Sequence, residues 1–291
     1  MDETIELLAE TAENKMRLED FLLDQFRGLS KIYLREIVKT ERCEVNGRFE
    51  NIGYRLRAND FIEITLDRTR ENAMVPQDIP LDVVFEDDHL IVINKPVGML
   101  VHPSHRDKTG TLLNALAFHV NRQGIDPHIR PGLIHRLDKE TSGLIVAAKN
   151  TRTHRILATH FEKKLVEKRY LALVDGVVAD DEGTITGAIG RFVEEKRWGI
   201  KENGRESETR FRVRQRSESK TLLELEPVTG RTNQLRIHCE TIGHPIVGDI
   251  SRGGSEFERL CLHAYSLAFR HPATRERVQF ESAAPFGIPM A

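Results

Sequence analysis

The chain has 291 residues, of which 39% are hydrophobic and 30% are charged, and its formal net charge at pH 7 is −2. This composition excludes a disordered, a collagen-like and a membrane-spanning chain, and the length predicts one large domain or a large and a small one. The acidic first residues resemble neither a signal peptide nor a transit peptide, and the three cysteines form no closely spaced pair. We therefore expect a reducing, cytoplasmic environment.

The first part of the chain, residues 15–67, predicts a small domain of two helices and a short sheet. Apolar residues recur at first with a helical period, and a second helical stretch begins at Ser30, a favourable N-cap residue. The dipeptide Asn46-Gly47 predicts a tight hairpin, and a strand of alternating polarity follows it. The polar, proline-containing stretch 68–80 then predicts a linker.

Basic residues are concentrated in three segments, although the total charge is slightly negative. These segments are residues 27–57, 150–170 and 191–216. In the first segment, Lys31, Arg35 and Lys39 recur every four residues, so they share one face of the second predicted helix. Each segment alone is compatible with a solvated surface, whereas the three together indicate a surface that binds phosphate groups.

Beyond the linker, the patterns predict an α+β fold. Two strands are expected first, followed by an amphipathic helix from Thr111 and a fully apolar strand over residues 143–149. A later helix is expected from Thr232 to Gly243, because glycine favours a helix end. Strands come first as a group and then alternate irregularly with helices, so a strict β-α-β repetition is not expected.

The most informative segment is residues 132–149, with the sequence GLIHRLDKETSGLIVAAK. It places Asp138 on a polar turn before the apolar strand, with Arg136, Lys139 and Thr141 close by. An aspartate at this place either caps the turn or, if nearby cations keep it ionised, serves as a nucleophile or base.

The segment HRLDKETSGLIVAAK resembles the catalytic-aspartate motif of the RluA family of pseudouridine synthases, and four other segments follow in that family's order. They are EDDHLIVINKPVGMLVHP at 86–103, EKRYLALVDG at 167–176, PVTGRTNQLRIHCETIGHPIVGD at 227–249 and LCLHAYSLAFRHP at 260–272. The first unit resembles the S-four RNA-binding domain. Together these resemblances imply a catalytic domain over residues 81–288, with a mixed, mainly antiparallel sheet flanked by helices. They also imply the large-subunit rRNA branch of the family.

The resemblance implies a reaction that converts uridine in RNA to pseudouridine. The bond from the sugar to the base nitrogen breaks, the base turns, and a new bond forms through carbon. Nothing is oxidised and no phosphate is transferred, so no cofactor is expected. The family's catalytic aspartate is matched by Asp138, and three roles remain open for it: attack on the sugar, attack on the base, or removal of a sugar proton.

Two further residues match the family's catalytic positions. Arg231 matches the arginine that pairs with the aspartate, and an adjacent guanidinium would lower the pKa of that carboxyl group and orient it. Tyr170 matches the family's tyrosine. Its ring is expected to stack on uracil, and its hydroxyl is expected to help remove the proton from the new carbon attachment point.

The expected substrate-binding residues follow from the same match. Arg136 corresponds to a residue that enters the RNA as the target base leaves the stack, where a guanidinium partly replaces the lost stacking. Leu235 and Leu262 are expected either to wall the base pocket or simply to belong to the core. On the N-terminal domain, the three cations of the second helix are expected to bind RNA.

The chain departs from the family pattern at Asn233, where the family usually has histidine. Asparagine can donate and accept hydrogen bonds but cannot titrate, so we expect a positioning role there.

His102 and His105 lie close together in the chain, but no set of cysteine or carboxylate ligands lies at metal-ligand spacing. We therefore expect no metal site.

Several alternatives remain open to sequence reasoning. A catalytically idle RNA-binding protein would lack the aspartate, tyrosine or arginine, and all three are present. An unrelated hydrolase with an aspartate nucleophile would need a partner carboxylate or a metal. Within the enzyme family, tRNA is the alternative substrate to rRNA. The protein is expected to be a monomer.

Overall fold

In the computed structural model, two compact units contain Met1–Gln77 with Ala117–Arg130, and Asp78–Leu116 with Pro131–Ala291. The residues that the structure describes are 2–26, 29–68, 75–104, 107–122 and 131–288. Residues 69–74 of the predicted linker and His105 therefore lie outside them. Within the described residues no helix is long and apolar enough to cross a membrane.

The first unit contains two helices and a four-stranded antiparallel sheet. Its elements are β1 (Glu3–Leu8), α1 (Leu18–Gln25), α2 (Lys31–Lys39), β2 (Cys43–Val45), β3 (Arg48–Phe49) and β4 (Phe61–Leu66). The strand order is β1-β4-β2-β3. The two helices and the inner side of the sheet share one apolar core.

Local sequence signals explain most of these elements. The Ser30 hydroxyl accepts a hydrogen bond from the Tyr33 amide and caps α2 as predicted. Asn46 and Gly47 both have positive φ, as the tight hairpin requires. The sequence did not predict β1, which precedes residue 15. Its Ile5 and Leu7 are only partly buried against the core of this unit.

The remaining elements build an α+β arrangement. They are β5 (Val83–Glu86), β6 (Leu90–Lys95), α3 (Leu112–Arg122), β7 (Gly132–Leu133), β8 (Ser142–Ala148), α4 (Thr151–Glu162), β9 (Glu167–Asp175), β10 (Glu182–Phe192), β11 (Arg197–Ile200), β12 (Arg205–Arg216), β13 (Lys220–Pro227), α5 (Gln234–Thr241), β14 (Leu262–Arg270) and β15 (Arg277–Glu281). The strands from β5 to β15 form one eleven-stranded sheet. The pairing of β8 with β14 is parallel, and the other strand pairs described in this sheet are antiparallel. The predicted mixed, mainly antiparallel fold is confirmed.

The sheet is built around β8, whose seven residues are all buried. It pairs with β6, β7 and β14. At its start, Gly143 has φ +112°, and a Cβ at this position would lie 2.4 Å from the carbonyl oxygen of Ala264. Only glycine permits this close approach, which holds the turn before β8 against β14.

Helix α5 begins at Gln234, two residues later than predicted. The reason is Asn233, which adopts the left-handed conformation with φ 55° and ψ 21° and stands at the N-cap. Asparagine tolerates this conformation better than most residues.

Candidate active site

One cleft of about 720 Å³ in the second unit brings together the residues predicted for chemistry and base binding. They are Arg136, Asp138, Tyr170, Arg231, Leu235 and Leu262. They come from the turn before β8, from β9, from the segment that leads into α5 and from the start of β14. The long sequence separations between these segments are bridged by the sheet and by α5.

The turn that carries Asp138 is held by backbone contacts. The Thr141 amide donates to the Asp138 carbonyl at 3.1 Å, and the Gly98 amide donates to the Lys139 carbonyl at 2.9 Å. The carboxylate of Asp138 is half-buried at the cleft wall. Its position therefore depends on a turn anchored at both ends rather than on a free loop.

The sequence did not predict the role of Lys95 below this turn. Lys95 is fully buried, and its ammonium donates to the carbonyls of Pro96 and Met99 at 2.8 Å and of Lys139 at 3.2 Å. Burial lowers the pKa of Lys95 to about 8, against the opposing effect of the negative charges of Glu140 and Asp138. The amine thus ties the Asp138 turn to the segment that follows β6.

Tyr170 lies on β9 opposite Ala264 of β14. Burial and the negative charge of Asp138 both raise the pKa of Tyr170 well above its usual value. The phenol therefore stays protonated at neutral pH, and the effect of Asp138 indicates that the two side chains lie near each other in the cleft.

Arg231 lines the cleft but does not form the expected ion pair. Its Nε donates to the Glu206 carbonyl at 3.1 Å, and its amide donates to the Gln234 side chain at 3.0 Å. Among the described residues, no carboxylate lies within ion-pair distance of its guanidinium. The contact with Asp138 that the resemblance implied is therefore absent.

A different arginine, Arg236, responds to the charge of Asp138. It lies on α5 and lines the cleft, where its Nε and Nη2 donate to the two oxygens of Asp249 at 2.6 and 2.7 Å. Burial lowers the pKa of Arg236, but the bond to Asp249 and the charges of Asp249, Asp138 and Glu140 raise it overall. The sequence analysis missed Arg236, although it lies in the same motif as Arg231.

The residues predicted to bind the substrate differ in their exposure to solvent. Arg136 is exposed at the cleft and makes no hydrogen bond or ion pair with any other residue that the structure describes. Leu235 and Leu262 are 7% and 3% exposed and belong to the apolar core that Tyr170 also contacts. The core alternative therefore applies to both leucines, which also line the cleft.

An aromatic wall adjoins Arg136. The His135 ring stacks on Phe161 with centroids 4.6 Å apart, and its Nε2 accepts from the Val146 amide at 3.1 Å. Burial, with a smaller effect from the charge of Lys168, lowers the pKa of His135 to about 3, so this imidazole is neutral at physiological pH. Lys168 lies beyond Phe161, with its Nζ 5.8 Å from the ring centroid.

Two other motif histidines link strands and helices. His238 makes hydrogen bonds of 2.8 Å to the hydroxyls of Ser207 and Thr209, and His263 makes one of 2.8 Å to Ser142. Burial lowers the pKa of both imidazoles to about 4. No group of three or more possible metal ligands occurs in the described part of the chain.

The cations predicted for RNA binding in the first unit share the exposed side of α2. Lys31 lies 3.2 Å from the Glu19 carboxylate, and Arg35 donates to the same side chain. Lys39 has no ion-pair partner among the described residues. Glu19 therefore neutralises part of the positive charge that the sequence predicted for this face.

Comparisons with known proteins identify the family of this chain. Residues 89–241 match the family model described as RNA pseudouridylate synthase. A Bacillus subtilis protein named "Uncharacterized RNA pseudouridine synthase YlyB" is 35% identical over 97% of this chain and 94% of its own length. A Pseudomonas aeruginosa protein named "Ribosomal large subunit pseudouridine synthase D" is 35% identical over 92% of this chain and 88% of its own.

Solved structures give the same family. The structure titled "Human RNA Pseudouridylate Synthase Domain Containing 1" has a TM-score of 0.60 and 29% identity, and it covers 74% of this chain and 86% of its own. The predicted membership is therefore confirmed. This chain belongs to the RNA pseudouridylate synthase family and is an RNA pseudouridine synthase, an isomerase.

Proposed function

We propose that this enzyme isomerises specific uridines of large-subunit ribosomal RNA to pseudouridine, with Asp138 as the catalytic carboxylate. The observation that carries the proposal is that Asp138, Tyr170 and Arg236 line one cleft. There the charge of Asp138 raises the pKa of both other residues. The proposal of an rRNA substrate is supported by relatives from Zymomonas mobilis, Xanthomonas campestris and Pseudomonas aeruginosa, which are named "Ribosomal large subunit pseudouridine synthase D".

The reaction exchanges one bond of the sugar for another. The bond between C1′ and N1 breaks, the uracil turns, C1′ bonds to C5, and the proton that leaves C5 balances the one gained at N1. Asp138 supplies the carboxylate at this centre. Arg236 lines the same cleft, and we assign it as the cation that accompanies this carboxylate.

Tyr170 provides the platform for the detached base. Its ring stacks on uracil. Its hydroxyl assists the transfer of the proton that leaves C5, and it does so as a neutral phenol because the raised pKa disfavours the phenolate. Leu235 and Leu262 bound the base on the apolar side of the cleft. Binding in this way keeps the uracil close to C1′ while it turns.

Arg136 assists extrusion of the target base from the RNA. It is exposed and has no partner among the described residues, so its guanidinium is available to the RNA. Unstacking a base costs on the order of a few kcal/mol, and a planar cation in the vacated space offsets part of that cost.

The N-terminal part binds the RNA at a distance from the modified base. We propose an S-four-like RNA-binding domain over residues 15–67, a linker over 68–80 and a catalytic domain over 81–288. Lys31, Arg35 and Lys39 supply phosphate contacts there. The enzyme acts as a monomer in the cytoplasm.

The test of the catalytic proposal compares Asp138→Asn with wild type and with Asp180→Asn, which alters an exposed aspartate outside the cleft. The swap at Asp138 preserves volume and removes only the charge. It should abolish pseudouridine formation while leaving folding and RNA binding intact, and the control should be fully active. Turnover near wild type in Asp138→Asn would contradict the mechanism.

The substrate is tested by mapping pseudouridines in total RNA from cells with and without this chain. Loss of sites in large-subunit rRNA is the expected result. Loss of sites in tRNA alone would instead establish the alternative substrate. If no site is lost and the purified enzyme modifies no RNA, a catalytically idle RNA-binding role would replace the proposal.

A further inference from the structure

Lys168 is a half-buried cation in the catalytic cleft and has no anionic partner among the residues that the structure describes. It lines the same cleft as Asp138 and Tyr170. Its Nζ faces the Phe161 ring, and it forms no hydrogen bond or ion pair with another described residue. Buried lysines are normally paired, so an ammonium with only a ring beside it is an unusual feature.

The carboxylates near Lys168 either pair with another cation or lie beyond ion-pair distance from its ammonium. Glu167, the preceding residue, pairs with Arg277 at 3.0 Å. Glu226, across the cleft, lies 4.0 Å from Arg210. Asp138 lies beyond ion-pair distance from Lys168. The negative charge that would complete this site is therefore not supplied by the described part of the protein.

The strand geometry directs Lys168 to the substrate. Side chains two residues apart point to the same side of a strand, and Lys168 and Tyr170 both line the cleft. Arg169 between them points to the opposite side, where it lies 3.8 Å from Glu224. Two residues of a strand span about 7 Å. A nucleotide whose base lies at Tyr170 thus brings its backbone within reach of Lys168.

We propose that Lys168 binds a phosphate group of the RNA next to the uridine that Tyr170 holds. This inference rests on the proposed function of the cleft and adds a positioning residue to it. A phosphate supplies the missing negative charge, and its oxygens accept hydrogen bonds from an ammonium. Burial lowers the pKa of Lys168, and a bound phosphate would favour its charged form again.

The first experiment measures RNA binding as a function of salt. The probe is an unmodified transcript of large-subunit rRNA, and the protein carries Asp138→Asn so that no turnover occurs. Each phosphate contact contributes about 0.7 to 0.9 to the slope of log affinity against log salt. We expect Lys168→Met to reduce that slope by about this amount and to weaken binding several-fold.

Two variants distinguish this contact from loss of general charge or of folding. Lys163→Met removes an exposed lysine that does not line the cleft, and it should change the affinity much less. Lys168→Arg retains the charge and should keep the slope. Equal melting temperatures of these proteins would exclude misfolding. An unchanged slope in folded Lys168→Met would overturn the inference.

The second experiment locates the phosphate. Synthetic RNAs carry an uncharged methylphosphonate on either side of the target uridine, and each is combined with wild type and with Lys168→Met. If Lys168 binds that phosphate, the two changes together cost little more than one alone. Additive effects at both positions would contradict the inference. Pseudouridine formation by wild type is recorded in parallel, and its absence would refute the proposed function without altering the binding result.

Discussion

Arg236 and Asp249 form a two-pronged ion pair behind the catalytic cleft, with nitrogen to oxygen distances of 2.6 and 2.7 Å and an Asp249 side chain that is 1% exposed. This pairing fixes the plane of the guanidinium. The charge of Asp138 also raises the pKa of this arginine, so Asp249 orients the cation that we propose as the partner of Asp138.

We predict that Arg236→Lys lowers the rate of pseudouridine formation by about a hundredfold or more, or about 3 kcal/mol of barrier. A lysine cannot reproduce the planar, two-pronged pairing. Arg231→Lys should lose less than about tenfold, because its guanidinium contacts a backbone carbonyl rather than Asp138. Single-turnover rates on the same RNA provide the comparison. A larger rate loss in Arg231→Lys than in Arg236→Lys would show that Arg231 is the arginine that accompanies Asp138.

Tyr170→Phe keeps the ring but removes the hydroxyl. We expect RNA affinity to stay within about threefold of wild type while the rate falls about a hundredfold or more, as for loss of a group that assists proton transfer. Tyr170→Leu should weaken binding as well, because it removes the aromatic platform. A Tyr170→Phe enzyme with an unaltered rate would restrict the residue to stacking.

Asn233→His should be tolerated, with a rate change below about tenfold, or about 1.4 kcal/mol of barrier. Histidine, like asparagine, is enriched in the left-handed conformation that position 233 requires. Asn233→Ala should destabilise the fold more, because alanine has no such tolerance. The pH-rate profile gives the decisive measurement. A new ionisation near neutrality in Asn233→His would assign acid-base chemistry to this position.

Stability should depend on pH through Lys95. Its pKa is lowered to about 8 in the folded chain, whereas an unfolded lysine titrates at about 10.4. Between these values the unfolded chain binds more protons, so the free energy of unfolding contributed by Lys95 rises with pH by about 3 kcal/mol in total. Below pH 8 this unfavourable contribution is fully present.

Comparison of Lys95→Met with wild type isolates this effect. Denaturant unfolding between about pH 7 and pH 10 should show the rise in wild type and in Lys139→Met, an exposed control, but not in Lys95→Met. Lys95→Met should also be less stable at every pH, because three backbone carbonyls lose their donor. Parallel pH curves for all three proteins would refute the shifted pKa.

The N-terminal proposal is tested by releasing the cations of α2. Because Glu19 neutralises Lys31 and Arg35, Glu19→Gln should strengthen binding to the large-subunit rRNA transcript and steepen its salt dependence. Replacing Lys31, Arg35 and Lys39 by alanine should have the opposite effect. Identical slopes in all these proteins would show that this face does not bind the RNA.

The features that sequence predicted correctly depend on neighbours along the chain. The cap at Ser30 and the Asn46-Gly47 hairpin involve contacts over a few residues. The buried strand after Asp138 shows as an uninterrupted apolar run. The family could be identified because its motifs follow one another in a fixed order along the chain, and reading that order requires no knowledge of the geometry. By contrast, β1 escaped prediction because it is stabilised by pairing with β4, whose residues lie 53 to 63 positions away in the chain.

The sequence by itself determined the family and the α+β fold, and it predicted Asp138 and Tyr170 as catalytic residues, which the structure places in one cleft. Only the tertiary structure showed that Arg236 is a cleft arginine whose pKa the charge of Asp138 raises, because Asp249 holds Arg236 from a separate segment. It also showed that Lys95 is buried and that Lys168 lines the cleft without an ion-pair partner in the described part of the chain. Charge and spacing along a chain do not specify burial or partners, which arise only when distant segments pack together.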